Sequence, residues 1–511
     1  MNRAAIVSRY YQDPKTQGVT TWDPRADVFP GGLRAVQNAT DWPQQLHNRY
    51  WAATNTYRSK YEFICDGRDG ADVCVPNSQP FWDDLMRNKS ETGMFMYLQD
   101  WLWVTFNRSQ SLAENATLGR TWMMQMDHGA RMSNSSIQFC MTYIRNLMQS
   151  VEMYAVTNGR VSGDYQPGND DWDIGISSIL AHALGIAPSK DDWWSSSVQK
   201  GFPSKYAAGS HEPHSRLHAA VASLSTGPVI PSDKIGASDV ALIMRSCDKA
   251  GRLLTPDRPA VTLDSHFSRA AFGTAGTDPA GRVVATSLEL GGLRFSFVFG
   301  VNLARVHVVR MSELGHDPTA TLLAMESNAS TPANVTGGGL SLSACGKTDF
   351  QLFTLAPVVG GFALLGERAK WVAVSRQRFS QLSLGSKGGS VVVSVQPGER
   401  VSVLWSTPGG TRESVCQADK GAAMMKATVD ANGAGRCVSA GATSGPKSAM
   451  KSDDGSAQPR PRNAKNITVF HVSAAAPFAS SFQSLQRSGL RRSLTPDSSE
   501  ARASNASGQS T

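Results

Sequence analysis

The sequence predicts an α/β fold, a TIM-type (β/α)8 barrel followed by an all-β sandwich and a mostly disordered tail. Three features carry the prediction. Up to about Phe267, short apolar runs, several ending in polar or acidic residues, alternate with helical patterns, as in a barrel whose strand ends carry chemistry. From about Val283 the apolar residues recur at period two. Past about Ala440 the chain is rich in Ser, Pro, Gly, Lys and Arg, which bury too little apolar surface to offset the entropy of ordering. The expected units are residues 1–267, 280–440 and 441–511.

In chain order, the barrel strands are expected in WPQQLHNRYW, GMFMYLQDWL, SSIQFCM, YAVTNGRVSGDY, LAHALGIAPS and VASLSTGPVIPSD. SRLHAAVASL and VALIMRSCDKAGRLL read as helices, the second ending near Gly251. The first barrel strand is hard to find, because no convincing apolar run precedes Gly18. In the second unit, LRFSFVFGV, RVHVVRM, FQLFTLA, KWVAVS and GSVVVSVQPGERVSVLWS read as strands, and VVVSV-QPGE-RVSVLW as a hairpin. In the tail, ITVFHV is the one candidate strand.

The 511 residues carry 50 Lys+Arg against 42 Asp+Glu, a net charge of +8. The segment past residue 440 supplies five of those eight charges, so the basic balance describes the tail. The barrel region has no run of Lys and Arg interleaved with aromatics, so a nucleic-acid partner is not expected. Charges or glycines interrupt every apolar run, so no membrane-spanning helix is expected either. Cys65 with Cys74 and Cys416 with Cys437 are spaced to close short loops, or they stand as buried thiols; the total of 7 leaves at least one unpaired. Sequons at Asn38, Asn88, Asn107, Asn115, Asn134, Asn328, Asn334, Asn466 and Asn505 suit a secretory-pathway or extracellular protein, yet the start lacks a signal sequence. Two readings stay open: secretion with an N-terminal segment missing, or a cytoplasmic protein.

Carboxylates at strand ends are the main chemical signal. Asp100 follows the apolar GMFMYLQ and precedes Trp101 and Trp103, which suits a buried acid beside a sugar-stacking surface. Asp164 ends GRVSGD, with Arg160 four residues earlier. A retaining glycosidase needs two such carboxyl groups about 5–5.5 Å apart, one ionised as nucleophile and one protonated as acid/base. The alternative is that both are caps or turn residues.

The run LSTGPVIPSDKIGASDVALIMRSCDKAGRLLTPDRPA resembles the strand-eight region of the α-galactosidase and raffinose synthase group of glycoside hydrolases (clan D, family 36-like). FPGGL, Asp100 and Arg160-Val-Ser-Gly-Asp164 keep that group's order, the last fitting its Arg-x-x-x-Asp motif. The resemblance covers roughly Trp22 to Asp264 and extends to GFALLGERAKWVAVS. It implies an eight-stranded barrel with a β-sandwich, cleaving or transferring α-linked sugars with retention. Asp100 is then the nucleophile and Asp164 the acid/base, with His47, Arg49, Trp101, Arg160 and Asp192 binding substrate. A carbohydrate is the expected partner, and no cofactor is expected.

The chain departs from the group's pattern where Leu98 replaces the lysine two residues before the nucleophile. A second reading follows, a catalytically inactive carbohydrate-binding relative. Other constellations weigh less. His211, His214 and His218 share helical spacing but not the His-Glu-x-x-His arrangement of a zinc site. SACGKT lacks the upstream glycine of a phosphate loop. The acids of NDDWD and SKDD read as loop and cap residues.

Overall fold

The computed structural model describes residues 3–7, 10–68, 73–199, 211–272, 281–335, 338–418, 420–421, 423–440 and 468–471. Six parallel strands of one sheet organise the first half: β1 (Arg3–Val7), β2 (Gln44–Asn48), β3 (Met94–Gln99), β4 (Ser136–Phe139), β5 (Val156–Arg160) and β6 (Ala187–Ser189). Each pairs with its predecessor, and Thr468–His471 runs parallel along the free side of β1. Parallel neighbours need crossover connections. Helices α1 (Gly32–Thr40), α2 (Gln79–Ser90), α3 (Leu118–Met132), α4 (Ile144–Gln149) and α5 (Ser177–Ala183) lie in the successive connections, and α6 (Ser215–Leu224) follows β6.

Local sequence explains these elements. Helix α2 starts where the Ser78 side chain accepts from the Phe81 N–H and a proline occupies the first turn. Its buried Phe81, Trp82, Leu85 and Met86 recur at helical spacing, as do Leu118, Trp122, Met126 and Ala130 of α3. They share one core with Leu46, Tyr97, Ile137 and Val156 from the sheet.

Several expectations change. The first strand exists, in RAAIV, a run too short to stand out. The strand order does not return to its start among the described residues, which form a parallel β/α sheet without showing its closure into a barrel. In VASLSTGPVIPSD, VASL belongs to α6, and among the described residues the rest forms no strand, only a parallel bridge from Pro231 to Trp193. Gly227 lies so close to β6 that a Cβ there would meet the Pro188 carbonyl oxygen at 2.2 Å. VALIMRSCDKAGRLL is helical only at Val240–Ile243 and Met244–Ser246; buried Asp248 then accepts the Ala250 and Arg252 N–H groups and holds a loop.

The second half is antiparallel. Val261–Thr262, Arg282–Leu290, Leu293–Val301, Phe350–Pro357, Leu322–Glu326 and Ala333–Val335 form a six-stranded sheet, in that order. Its central hairpin turns on Gly291 and Gly292, both at positive φ, which two-residue hairpin loops favour. A four-stranded sheet contains Gly388–Val395 and a three-stranded sheet contains Arg400–Thr407. The expected hairpin is therefore an arch: its two strands pair in different sheets, while Val391, Val393, Val401, Val403 and Trp405 meet in one core. KWVAVS is a turn segment following the strand Ala363–Gly366. Beyond Ala440, the tail lies outside the described residues except for Thr468–His471, within ITVFHV.

Candidate functional site

The carboxyl ends of β2 to β6 bring most of the sequence-predicted residues together. Asp100, directly after β3, accepts a hydrogen bond at 3.0 Å from Nε2 of His47 on β2. The other ring nitrogen of His47 bonds to the Tyr10 hydroxyl at 2.8 Å, and the two rings stack. Asp100 Oδ1 also receives the Trp101 N–H at 2.8 Å. Its side chain is 14% exposed. Burial works against the ionised form, but the His47 bond, the charges of His47 and Arg160 and a hydrogen bond with the buried Cys140 outweigh it. They hold the carboxyl at about 2.

The backbone is strained here. Trp101 adopts φ 59° and ψ 32°, and Met141, following Cys140 at the end of β4, has φ 46°. Left-handed conformations are unfavourable for bulky L-residues and concentrate at functional sites.

At the end of β5, Arg160 is 9% exposed, and its Nη1 lies 2.7 Å from Asp164 and 3.0 Å from Asp191. Asp164 is 63% exposed, so one guanidinium links a solvent-facing acid to the interior. Asp191 also accepts the Tyr165 N–H at 2.8 Å. Asp192 is placed differently. It hydrogen-bonds Ser232, and burial, reinforced by the Asp191 charge, pushes its carboxyl well above the usual range. Of the two neighbouring acids, Asp191 is the one that reaches Arg160. Arg49, just past β2, stacks over Trp101 with its guanidinium carbon 4.1 Å from the ring centroid.

Behind Asp164 lies a buried polar cluster that sequence reasoning misses. Lys190 is 1% exposed and donates to the Asp191 and Asp192 carbonyls. Glu212, fully buried, accepts from the Tyr165 hydroxyl at 2.7 Å, the Gly168 N–H at 3.1 Å and the His214 N–H at 2.6 Å. Asp171 has two buried carboxylate oxygens without a hydrogen-bond partner, and burial, opposed by Lys190, pushes it up to about 7. His211 is exposed while His214 and His218 are buried. Among the described residues no group of three His, Cys, Asp or Glu side chains is arranged to hold a metal. A cavity of about 240 Å³ lies elsewhere, lined by residues including Tyr57, Tyr61, Phe81 and Asp84.

No protein-family model matches the sequence, and no curated protein does. Among solved structures, a family 27 glycoside hydrolase, the β-L-arabinopyranosidase of Geobacillus stearothermophilus, is similar with a TM-score of 0.50. It is 12% identical, over 70% of this chain and 88% of that one. A variant of that enzyme in complex with arabinose gives a TM-score of 0.46 at 12% identity, over 69% and 85% of the two chains.

Proposed function

We propose that the chain, whose fold is glycoside hydrolase-like, is a retaining α-glycosidase or transglycosylase acting on α-galactoside-like sugars, built on a (β/α)8 barrel. The observation that carries this reading is the Asp100 carboxylate, held ionised at a strand end by His47 and Arg160, with Arg160 also gripping Asp164. In the first step an Asp100 oxygen bonds to the anomeric carbon. The bond to the leaving oxygen breaks, and that oxygen takes the Asp164 proton. In the second step Asp164 takes a proton from water or an acceptor hydroxyl, whose oxygen displaces Asp100. His47, Arg49, Trp101, Arg160 and Asp192 complete the sugar site in this reading, and Asp191 joins them.

The test is turnover of a panel of aryl α-glycosides by wild type and Asp100→Asn. Turnover that disappears in the variant supports the reading; a folded wild type inert on every substrate would falsify it. Leu98 favours the second reading, an inactive carbohydrate-binding relative, which requires sugar binding in calorimetry without turnover.

The chain also reads as a secretory glycoprotein. Cys65–Cys74 and Cys416–Cys437 are disulfides, and Asn38, Asn88, Asn107, Asn115, Asn134 and Asn334 are exposed. Enzymatic N-glycan removal from the native protein should increase its electrophoretic mobility; an unchanged mass removes this reading.

A further inference from the structure

Among the described residues most charges at the candidate site pair off. Asp100 has His47, while Asp164 and Asp191 share Arg160. Arg49 is 9% exposed, and among the described residues no carboxylate pairs with it. Its Nε and Nη2 are buried without a hydrogen-bond partner. These two nitrogens form one edge of the guanidinium, the side-on fork whose parallel N–H bonds match the two oxygens of a carboxylate or sulfate. The Trp101 and Tyr50 rings contact the guanidinium, with centroids 4.1 and 5.1 Å from its central carbon. Ring faces offset part of the cost of burying a cation but accept none of the in-plane N–H bonds. Leaving two buried donors of a charged group unmade is costly, and native proteins seldom do so without a ligand or water.

Resting on the glycosidase reading, we propose that Arg49 receives an anionic substituent of the sugar, so that the preferred substrate is an acidic α-glycoside, a uronide or a sulfated sugar. Trp101, on which Arg49 stacks, follows Asp100 directly, so the guanidinium belongs to the same strand-end cluster as the carboxylate that would attack the ring. The neighbouring carboxylates Asp100, Asp164 and Asp191 are already bonded to His47 or Arg160, so the fork remains for the substrate.

The experiment compares 4-nitrophenyl α-galactoside, the corresponding α-galacturonide and a 6-sulfated α-galactoside on wild type, Arg49→Gln and Arg49→Lys. Wild type should favour at least one acidic substrate by on the order of tenfold or more in kcat/KM, a preference that Arg49→Gln erases and Arg49→Lys keeps in part. The acidic substrate that wins identifies carboxylate or sulfate. An active wild type that favours the neutral substrate overturns the inference and leaves the glycosidase reading intact. So does an equal loss on all three in a folded Arg49→Gln. A wild type inert on all three counts against the glycosidase reading, and tryptophan-fluorescence titration with galacturonate, galactose and inorganic sulfate then decides. Salt-sensitive binding of an anion that Arg49→Gln abolishes supports the fork. Equal binding of galactose and the anions, or none of any, rejects it.

Discussion

Nε2 of His47 bonds Asp100 at 3.0 Å across 53 residues of chain, because β2 and β3 are adjacent parallel strands that end at the same level. The resemblance leads one to expect a lysine at position 98 to keep the nucleophile ionised. Position 98 is Leu here, and His47 and Arg160 lower the Asp100 carboxyl instead. A carboxylate held at about 2, below its unfolded value near 3.9, contributes stability above the unfolded value that is lost as pH falls through about 2. Replacing His47 by Gln removes the main group that stabilises the ionised carboxylate, so Asp100 should titrate higher. The acid limb of the kcat/KM profile in His47→Gln should then move to higher pH. An unshifted limb means that Arg160 and Cys140 suffice.

Glu212 should act on Asp164 from a distance. Tyr165, next to Asp164, is tied by its N–H to Asp191 and by its hydroxyl to Glu212, which also accepts the Gly168 N–H. The loop bearing the candidate acid/base is thus clamped at both main chain and side chain. Misplacement of a proton donor by about an ångström can cost on the order of a hundredfold in rate. Tyr165→Phe and Glu212→Gln should lose tenfold or more on alkyl glycosides, whose departure needs the proton. Dinitrophenyl glycosides, which leave unaided, should change little. A purely structural defect lowers both alike, and that outcome would remove the positioning role.

Asp171 should make stability depend on pH. Its carboxyl is raised to about 7 from near 3.9, so the contribution is fully present below about pH 4 and is lost as pH rises through 7. Lys190 opposes the shift, while Asp191 and Glu212 reinforce it. His218, with Nε2 3.8 Å from Asp171, runs the other way. Burial lowers its titration, so its contribution is lost as pH falls below the usual histidine value near 6.5. The Asp171→Asn variant isolates the first effect: wild-type Tm relative to the variant should decline between pH 4 and 7. A flat difference excludes Asp171 as the titrating group.

Much of the candidate site was legible because parallel strands advertise themselves: the apolar run MFMYLQ leads into Asp100, and the strand VTNGR ends at Arg160. What local pattern cannot supply is partner and side. Asp191 and Asp192 are equivalent in sequence, and only the packing of Ser232 and Arg160 around them decides which one pairs with Arg160. Glu212 escaped because it belongs to no strand end; a glutamate-proline pair just ahead of α6 was its only mark. The arch of the second half shows the same limit. Period two marks both strands correctly, and QPGE is a turn, yet nothing local says that the flanking strands choose different sheets.

That turn has its own reason to exist. Glu399 folds over Arg378, which is 1% exposed and donates to Glu399 through both Nη atoms at 2.9 and 2.7 Å, to Glu367 through Nε at 2.8 Å, and to the Ser394 carbonyl at 2.6 Å. The same Glu399 accepts the Gln396 N–H within its turn and the Lys249 N–H from the loop at Asp248, tying the arch to the first half of the chain. Removing one partner of a buried ion pair strands the other, at about 3–5 kcal/mol. Arg378→Met leaves Glu367 and Glu399 facing each other without their cation, and should lower Tm sharply at pH 7. Both carboxyls would then titrate above their unfolded values, so the variant's deficit should shrink as pH falls from 7 toward 5. Thermal melts of wild type and variant across that range check both statements. A deficit independent of pH would mean that lost packing, not stranded charge, accounts for the destabilisation.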